Sequence, residues 1–463
     1  MPNNPPGPKG EFIWGHLRWY RRDSLAFQRA LARDYGDVVA LRLGLRRAVL
    51  IAHPDDIHKV LVAEADKFRK SAIYRELLSR VLGNGLLTSD GEFWQRQRKL
   101  VQPAFHHKRI QAYGAVMTEH AARMLETWRP GEVRVLNRDM MRLTLGIVCK
   151  TLFDADVSGD ADRVAMALTA VLELVDVALE APIFLPEWWP SPHRQQQREA
   201  RQILDEVVYG FIRRRRETGD TGDLLSMLLA ARGEAGERMS DRQVRDEAVT
   251  LVLAGHETTA NALTWTFILL AQHPEAEAHL HAELDAVLAG RSPTVEDLRR
   301  LEYTSLVIKE SLRLYPPAPT IGREALVDVE LGGYRIPKGT IVVIPVHVVH
   351  HDARWFPDPE KFDPLRFTKD KEAARPKFAY FPFGGGPRIC IGNSFAEMEA
   401  NLLLAAIAQR YRLRLAETTP IVPKATITLR PSSDVRMRLE ARSMTSAAET
   451  LNGANAQSRV PSG

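Results

Sequence analysis

The stretch Phe381-Pro-Phe-Gly-Gly-Gly-Pro-Arg-Ile-Cys-Ile-Gly392 contains Cys390, one of the two cysteines in the chain. Glycine and proline are too frequent here for a helix or a strand, so the stretch predicts a loop. A helical pattern follows at 393–411. Because the N–H groups of a glycine-rich loop and the N-terminus of a helix both favour negative charge, we expect a thiolate at Cys390. A thiolate is a metal ligand, although a lone cysteine is more often a buried structural residue.

Composition and charge exclude some classes of protein. The 463 residues contain 63 Lys and Arg against 58 Asp and Glu, an excess too small to indicate nucleic-acid binding. The second cysteine, Cys149, lies in the apolar run 145–153 and is expected in the core of a helix. Two cysteines in such different surroundings do not predict a disulfide framework, which fits a protein of the reducing cytoplasm.

Neither a signal peptide nor a membrane anchor is predicted. The chain begins with Met-Pro-Asn-Asn-Pro-Pro-Gly-Pro, which lacks the cationic and then apolar order of a signal peptide. The most apolar long stretch, 249–271, is interrupted by polar residues such as His256 and Glu257. Such residues are costly in lipid, so we expect a buried helix of a cytoplasmic protein.

Helical patterns dominate the chain and predict a mainly α fold with a small β portion. The β-rich portions are expected near 36–53, 325–346 and 425–440. The first reads as a hairpin of Val38–Leu43 with 47–52, and the last as a pair of strands at 425–430 and 434–439 joined by a turn. We expect a single domain at 1–442. The remaining residues, 443–463, are rich in Ser, Ala, Asn, Gln and Gly and predict a disordered tail.

One predicted helix is long enough to cross the whole molecule. Ser240-Asp-Arg-Gln243 fits a capping box, and the helical pattern continues until Pro274, which at 1.5 Å per residue gives roughly 48 Å. Its middle reads Ala254-Gly-His-Glu-Thr-Thr-Ala260. Small residues there leave room for a flat cofactor, and a threonine hydroxyl bonded to an earlier carbonyl leaves a niche for water. Glu257 can pass protons next to Thr258.

Two further helices carry paired polar residues. Trp94 and Arg98 are four residues apart and share a helix face, where both donate hydrogen bonds that suit a carboxylate. Without further information, a surface arginine beside a packed tryptophan explains this pair better. Glu310 and Arg313 are three residues apart, and an ion pair on a helix face usually contributes only tenths of a kcal/mol.

The pattern Phe383-x-x-Gly386-x-Arg388-x-Cys390-x-Gly392 resembles the haem-binding signature of the cytochrome P450 family. The resemblance extends over nearly the whole chain. The Trp-x-x-x-Arg spacing is similar to the family's propionate-binding helix, and the middle of the long helix is similar to its oxygen-activation motif. Glu310-x-x-Arg313, completed by Arg366, is similar to its Glu-x-x-Arg network. One departure is Leu365, where many members have Glu or Asp.

The resemblance implies a P450 fold with haem b, iron protoporphyrin IX, between the long helix and the cysteine loop. Cys390 would bind the iron, and Glu257 with Thr258 would deliver protons. The other implied cofactor-binding residues are Trp94, Arg98, Arg323, Phe383, Arg388 and Gly392. The implied substrate-lining residues are Leu86, Leu87, Ala254, Ala318, Ile321 and Leu429. Glu310, Arg313 and Arg366 would form a structural network behind the cysteine loop.

The implied reaction inserts one oxygen atom from O2 into a C–H bond of a hydrophobic substrate: a fatty acid, terpenoid, steroid or carotenoid. The sequence has no Rossmann fingerprint, P-loop or iron–sulfur cysteine set, so electrons would come from a ferredoxin or flavodoxin with its reductase. Arg96 and Lys99 would provide docking charges. The proline-broken connection 180–192 resembles the lid of the substrate channel, and an ordinary packed loop fits it equally well. Alternatives are a peroxide-driven hydroxylase, an enzyme that rearranges a peroxide, and a haem-based sensor.

Overall fold

The computed structural model describes residues 4–155, 164, 166–168, 170, 193–232 and 238–442. The predicted lid at 180–192 and the predicted tail at 443–463 lie outside these residues. Helices dominate the described chain, so the predicted fold class is confirmed. The helices are α1 (Leu17–Arg22), α2 (Ser24–Tyr35), α3 (Pro54–His58), α4 (Ser79–Leu82), α5 (Gly91–Val101), α6 (His107–Thr127), α7 (Leu136–Phe153), α8 (His193–Thr218), α9 (Leu224–Ala230), α10 (Asp241–Gln272), α11 (Pro274–Leu288), α12 (Glu302–Leu314), α13 (Val346–His350), α14 (Lys369–Ala373) and α15 (Asn393–Arg410).

The strands of the described chain form four small sheets. They are β1 (Val38–Leu43), β2 (Arg46–Ile51), β3 (Phe68–Lys70), β4 (Val133–Val135), β5 (Ile321–Ala325), β6 (Val329–Leu331), β7 (Tyr334–Ile336), β8 (Ile341–Ile344), β9 (Tyr411–Leu415), β10 (Pro423–Ala425), β11 (Leu429–Pro431) and β12 (Arg436–Ala441). The largest sheet has the order β1-β2-β8-β5-β3. Within it β2 and β8 are parallel, and the other neighbours are antiparallel.

The predicted N-terminal hairpin is confirmed, but the predicted pairing near the C-terminus is wrong. Val38 lies opposite Ile51, as a hairpin requires. The strands predicted at 425–430 and 434–439 do not pair with each other, because β11 pairs with β10, and β12 pairs with β9 and β4. β12 alternates buried and exposed residues. This alternation indicates a half-buried strand and contains no information about which strand lies beside it.

The long central helix α10 is confirmed with its predicted start. The Ser240 hydroxyl accepts from the backbone N–H of Gln243, and the Gln243 side chain accepts from the backbone N–H of Ser240. Gly255 lies where α10 packs on α7, and a Cβ there would come within 2.9 Å of the Val148 side chain. This glycine therefore allows two helices to approach closely.

The helix after the cysteine loop, α15, packs against α10 and contains a fully buried carboxyl group, Glu399. Within the described chain neither of its oxygens has a hydrogen-bond partner of good geometry, although the Thr259 hydroxyl is close enough to favour the charged form slightly. Burial dominates and raises the pKa of Glu399 to about 8. The folded protein therefore keeps a proton that the unfolded chain releases above its ordinary pKa of 4.5.

We expect Glu399→Gln to stabilise the protein more at pH 8 than at pH 6. Because the folded state binds the extra proton between pH 4.5 and 8, the wild type loses stability as pH rises through this window. The neutral amide does not titrate. The difference in free energy of unfolding between variant and wild type should grow by about 1–2 kcal/mol from pH 6 to pH 8, measured by urea unfolding. The exposed Glu417→Gln is the matched control, and an equal difference at both pH values would contradict the assignment.

Candidate active site

The cysteine loop is shaped by glycines in left-handed backbone conformations. Gly384 and Gly386 have φ values of +72° and +67°, which residues with a side chain rarely adopt. A Cβ on Gly386 would also overlap the backbone carbonyl of Leu61. The loop closes on itself where the N–H of Cys390 donates to the carbonyl of Phe383, 3.0 Å away. Glycine is therefore required at 386 both for the turn and for the close approach of the backbone at Leu61.

Cys390 is an exposed, free cysteine at the end of this loop. The backbone N–H of Gly392 and the guanidinium of Arg98 both favour its thiolate. The loop backbone nevertheless surrounds the sulfur closely enough that burial dominates and raises the pKa of the thiol above its ordinary value. The low pKa expected from the loop and the helix N-terminus is thus not produced by the protein alone. A coordinating metal deprotonates such a thiol directly.

The predicted anion-binding residues of α5 lie against the cysteine loop. Arg98 donates to the backbone carbonyl of Ile389 at 2.9 Å. The guanidinium carbon of Arg388 lies 4.7 Å from the ring centroid of Trp94, and Arg388 also donates to the Asp90 carboxylate. The structure therefore brings Trp94, Arg98 and Arg388 together.

Two more cations, Lys70 and Arg323, lie in the same cluster on the neighbouring strands β3 and β5. Burial, followed by repulsion from Arg388, lowers the pKa of Lys70 to about 7 and that of Arg323 to about 10. Among the described residues, Nη1 of Arg388 is buried without a hydrogen-bond partner. Lys70, Arg323 and Arg388 outnumber the nearby carboxylates, Asp90 and Glu247, and burial raises the pKa of Glu247 to about 7, so the cluster holds a surplus of positive charge. Such a cluster is built for an anion.

Lys70 was not among the residues predicted from the sequence. It belongs to a strand of only three residues, too short to show a periodic pattern, and it is not part of a recognised sequence motif. Its ammonium group donates to the backbone carbonyls of Leu86 and Ser89, while the N–H of Leu86 donates to Glu247 on α10 at 2.9 Å. The loop with the predicted substrate-lining Leu86 is thereby held between the cation cluster and the central helix.

On α10, Ala254 and Thr258 share one face. The Thr258 hydroxyl donates to the carbonyl of Ala254 at 2.7 Å, and both residues are accessible in an otherwise buried helix. Glu257 points in another direction. Its buried carboxylate accepts a 2.6 Å hydrogen bond from the hydroxyl of Thr428. The predicted proton-delivering pair is therefore adjacent in sequence but directed to two sides of the helix.

The predicted substrate-lining residues differ in exposure. Ile321 is half-buried, and its Cδ1 lies 3.6 Å from the position of a Cβ on Gly384, which places it against the cysteine loop. Leu87 and Ala318 are half-buried as well. Leu86 is buried, and Leu429 is fully enclosed, with its carbonyl accepting from the indole N–H of Trp265 at 3.2 Å.

The predicted structural network is assembled around Glu310. Its carboxylate accepts two hydrogen bonds from Arg313, at 2.7 and 2.8 Å, and both side chains are 0% exposed. Nε of Arg366 lies 3.4 Å from Glu310, too poorly aligned for a hydrogen bond. The Arg366 guanidinium instead donates to the backbone carbonyls of Pro357 and Asp358. The network ties α12 to the chain that precedes the cysteine loop.

The family of this chain follows from its match to a family model. A family model described as Cytochrome P450 matches residues 5–436.

The chain belongs to the cytochrome P450 family. It is 39% identical to the cyclooctat-9-en-7-ol 5-monooxygenase of Streptomyces melanosporofaciens, over 87% of this chain and 88% of that protein. It is 34% identical to the pentalenene oxygenase of Streptomyces avermitilis, over 93% and 96%. Among solved structures, the retinoic acid bound cyanobacterial CYP120A1 superposes with a TM-score of 0.85 at 27% identity, covering 95% of this chain and 99% of that chain. The predicted P450 fold is confirmed, and the protein is an oxidoreductase.

The residues present fit the haem that the P450 family uses. The exposed Cys390 would provide a thiolate ligand for the iron. The surplus of cations beside it includes Arg388, whose buried Nη1 has no hydrogen-bond partner among the described residues, and suits the two carboxylates of a haem. The accessible small residue Ala254 and the Thr258 hydroxyl belong to the central helix of the same P450 domain.

Proposed function

We propose that this P450 is a haem-thiolate monooxygenase that inserts one oxygen atom from O2 into a C–H bond of a hydrophobic, terpenoid-type substrate. Electrons come from an external ferredoxin or flavodoxin with its reductase. The observation that carries the proposal is the exposed Cys390 beside a buried surplus of cations, which together match an iron ligand and the site of a dianionic cofactor. We propose haem b as this cofactor, within a single domain at 1–442.

Each part of the site has a separate task. Cys390 would bind the iron, Arg98, Arg323, Arg388 and Lys70 would neutralise the propionates, and the indole N–H of Trp94 would help to orient them. When bound, the haem supplies the chemistry of O2 reduction and C–H oxygenation. Phe383 and Gly392 shape the loop around the sulfur. The Glu310 network with Arg313 and Arg366 supports the loop from behind.

Thr258 holds a water at Oγ1, and that water passes the proton. Because its hydroxyl hydrogen is directed to the carbonyl of Ala254, the oxygen lone pairs accept a hydrogen bond from water. Glu257 provides an acid on the buried side of the same helical turn, where Thr428 orients its carboxylate. Together they connect the accessible face of α10 with a buried proton source.

The substrate class is inferred from the lining and the relatives. The proposed lining is apolar: Leu86, Leu87, Ala254, Ala318, Ile321 and Leu429. Relatives that match most of this chain are named for pentalenene and for cyclooctat-9-en-7-ol, and a structural neighbour binds retinoic acid. These names favour a terpenoid-type substrate over a fatty acid or a steroid.

The redox partner and the compartment are part of the proposal. Arg96 and Lys99 are exposed on α5, the helix that packs against the cysteine loop through Arg98, and suit an acidic partner. No helix in the described part of the chain has the length and hydropathy to span a bilayer. Both cysteines are free. We place the protein in the cytoplasm.

We expect Thr258→Ala to uncouple electron consumption from oxygenation. Without Oγ1 the water that passes the proton is no longer held in place, so electrons go to hydrogen peroxide. Product formed per electron pair consumed should fall about tenfold, less than the roughly 100-fold that a positioned proton donor contributes, because water replaces the hydroxyl in part. Thr258→Ser should restore most of the coupling. Thr264→Val is the control, since Thr264 bonds the carbonyl four residues earlier in the same way but is fully buried. Unchanged coupling in Thr258→Ala would contradict the role.

Turnover assays with two oxidant systems test the proposed function. The purified protein is supplied with O2, a ferredoxin and its reductase, or with hydrogen peroxide alone, and a terpenoid library is examined for hydroxylated products. Binding is first measured by spectral titration with the same library. Oxygenation with O2 and reductase supports the proposal. Turnover with peroxide alone would indicate a peroxide-driven hydroxylase, and haem binding without turnover in either system would indicate a sensor.

A further inference from the structure

Large apolar side chains at one end of the molecule are exposed to solvent. Phe12 is 86% exposed and Leu45 is 60% exposed, and Ile13 and Trp19 are also exposed. Phe12 and Ile13 lie in a turn before α1, and Leu45 is the tip of the β1–β2 hairpin. The turn and the tip are neighbours, because the N–H of Gly44 donates to the carbonyl of Trp14 at 3.2 Å. These exposed apolar side chains, here called the apolar patch, are therefore carried by adjacent segments at one end of the molecule.

The patch is held rigidly and is not a loose terminus. The N–H of His16 donates to the carbonyl of Arg42 at 2.8 Å, and the ring of His16, which is buried, accepts from the N–H of Arg42 at 2.9 Å. Gly15 has a φ of +57°, and a Cβ there would overlap the backbone of Arg42. Upstream, the N–H of Ala40 donates to the carbonyl of Pro6 at 2.7 Å. The backbone thus presents Phe12 and Ile13 to solvent by a fixed geometry.

Positive charge surrounds this patch. Residues 9–22 and 42–47, here called the N-terminal surface, contain seven Lys and Arg and one acid, Glu11. Their surplus of six exceeds the surplus of five for the whole chain, so the rest of the protein has a net charge of −1. Arg18 contacts Glu11 and Arg46 contacts Glu76, both in exposed pairs. Arg22 and Arg47 are exposed on the same surface.

Exposed aromatic and aliphatic side chains ringed by arginines match the chemistry of one partner in particular. An anionic lipid surface attracts basic residues and accepts apolar side chains at the boundary between headgroups and acyl chains. An acidic protein would compensate the charge but would not require four large apolar side chains to be exposed on the same surface.

We propose that the N-terminal surface docks the protein reversibly onto an anionic lipid bilayer. Phe12, Ile13 and Leu45 enter the headgroup boundary, and the surrounding arginines contact the lipid phosphates. The protein is then peripheral to the membrane, which is also where a hydrophobic substrate concentrates. This inference goes beyond the proposed function and does not depend on the chemistry at Cys390.

Vesicle sedimentation with the full-length haem-loaded protein tests the docking. Vesicles consist of phosphatidylcholine alone or of phosphatidylcholine mixed with phosphatidylglycerol, at low and high salt. We expect binding to the mixed vesicles, weakened by salt, and little binding to phosphatidylcholine. Arg22→Gln combined with Arg47→Gln should lower the binding constant about tenfold. Phe12→Ser, Ile13→Ser and Leu45→Ser combined should lower it about tenfold or more at unchanged charge.

Matched controls separate this surface from general charge and hydrophobicity. Lys338→Gln combined with Lys424→Gln removes two exposed cations elsewhere, and Val327→Ser combined with Val422→Ser removes two exposed apolar side chains elsewhere. Both controls should bind vesicles like the wild type. Absence of binding to mixed vesicles, equal binding to both vesicle types, or equal losses in the controls would overturn the proposal. The proposal would also be overturned if the wild type did not bind vesicles but self-associated, and if the N-terminal variants abolished that self-association.

Discussion

Glu310→Ala should lower the free energy of unfolding by about 3–5 kcal/mol, because it leaves the enclosed Arg313 charged and without its carboxylate. Both side chains are fully buried, so water cannot replace the lost partner. The remaining hydrogen bonds of Arg313 go to the backbone carbonyls of His350, Pro359 and Lys361, which are weaker partners for a cation than a carboxylate.

The same substitution should also weaken haem retention. Arg313 donates to the carbonyl of His350, and the ring of His350 accepts from the N–H of Phe381 at 3.0 Å, where the cysteine loop begins. Glu310 itself accepts from the N–H of Asp363 at 2.9 Å. Loss of the carboxylate therefore loosens the chain that leads into the loop that holds Cys390.

Urea unfolding followed by circular dichroism measures the first effect, and the haem absorbance after dialysis measures the second. Glu372→Ala is the control, because Glu372 pairs with Lys309 at 2.8 Å in a half-exposed position. Such a pair contributes about 1 kcal/mol or less. If Glu310→Ala and Glu372→Ala cost the same, the network would not have the supporting role assigned to it.

Local signals allowed much of the fold to be predicted. The capping box at Ser240 and Pro274 delimited α10, and strand alternation found the hairpin of β1 and β2. The glycines of the cysteine loop indicated its conformation, because the left-handed backbone at Gly386 is a property of the residue itself. The family's motifs identified the residues that meet at Cys390.

Contacts between distant parts of the chain could not be predicted. Lys70 joins the cation cluster through strand pairing with β5, some 250 residues later in the chain. The carboxylate of Glu257 is directed to Thr428, and the space at Gly255 is taken by Val148. The partners of β12 follow from the packing of the whole molecule. In each case the sequence pattern shows that a side chain or a strand face is buried, but not what it is buried against.

Cys390→Ser should abolish oxygenation while leaving the fold almost unchanged. The residue is exposed and adds little to the core, so the free energy of unfolding of the protein before haem loading should change by about 0.5 kcal/mol or less. A serine hydroxyl does not ionise as a thiol does beside a metal and does not provide the electron-rich sulfur ligand. Substrate turnover with O2 and reductase should therefore fall to background.

Cys149→Ala provides the opposite control. Cys149 is buried in α7, far along the chain from the cysteine loop, so its replacement removes packing and should cost about 1 kcal/mol or more in stability. Turnover per haem should stay at the wild-type level. If instead Cys149→Ala abolished turnover while Cys390→Ser kept it, the iron ligand would be misassigned.

The absorption spectrum of the reduced, carbon-monoxide-bound protein tests the central claim most directly. The wild type and Cys149→Ala should both give the spectrum of a thiolate-ligated haem, and Cys390→Ser should give a spectrum without thiolate character. A thiolate-type spectrum that survives in Cys390→Ser would contradict the assignment of Cys390 as the iron ligand.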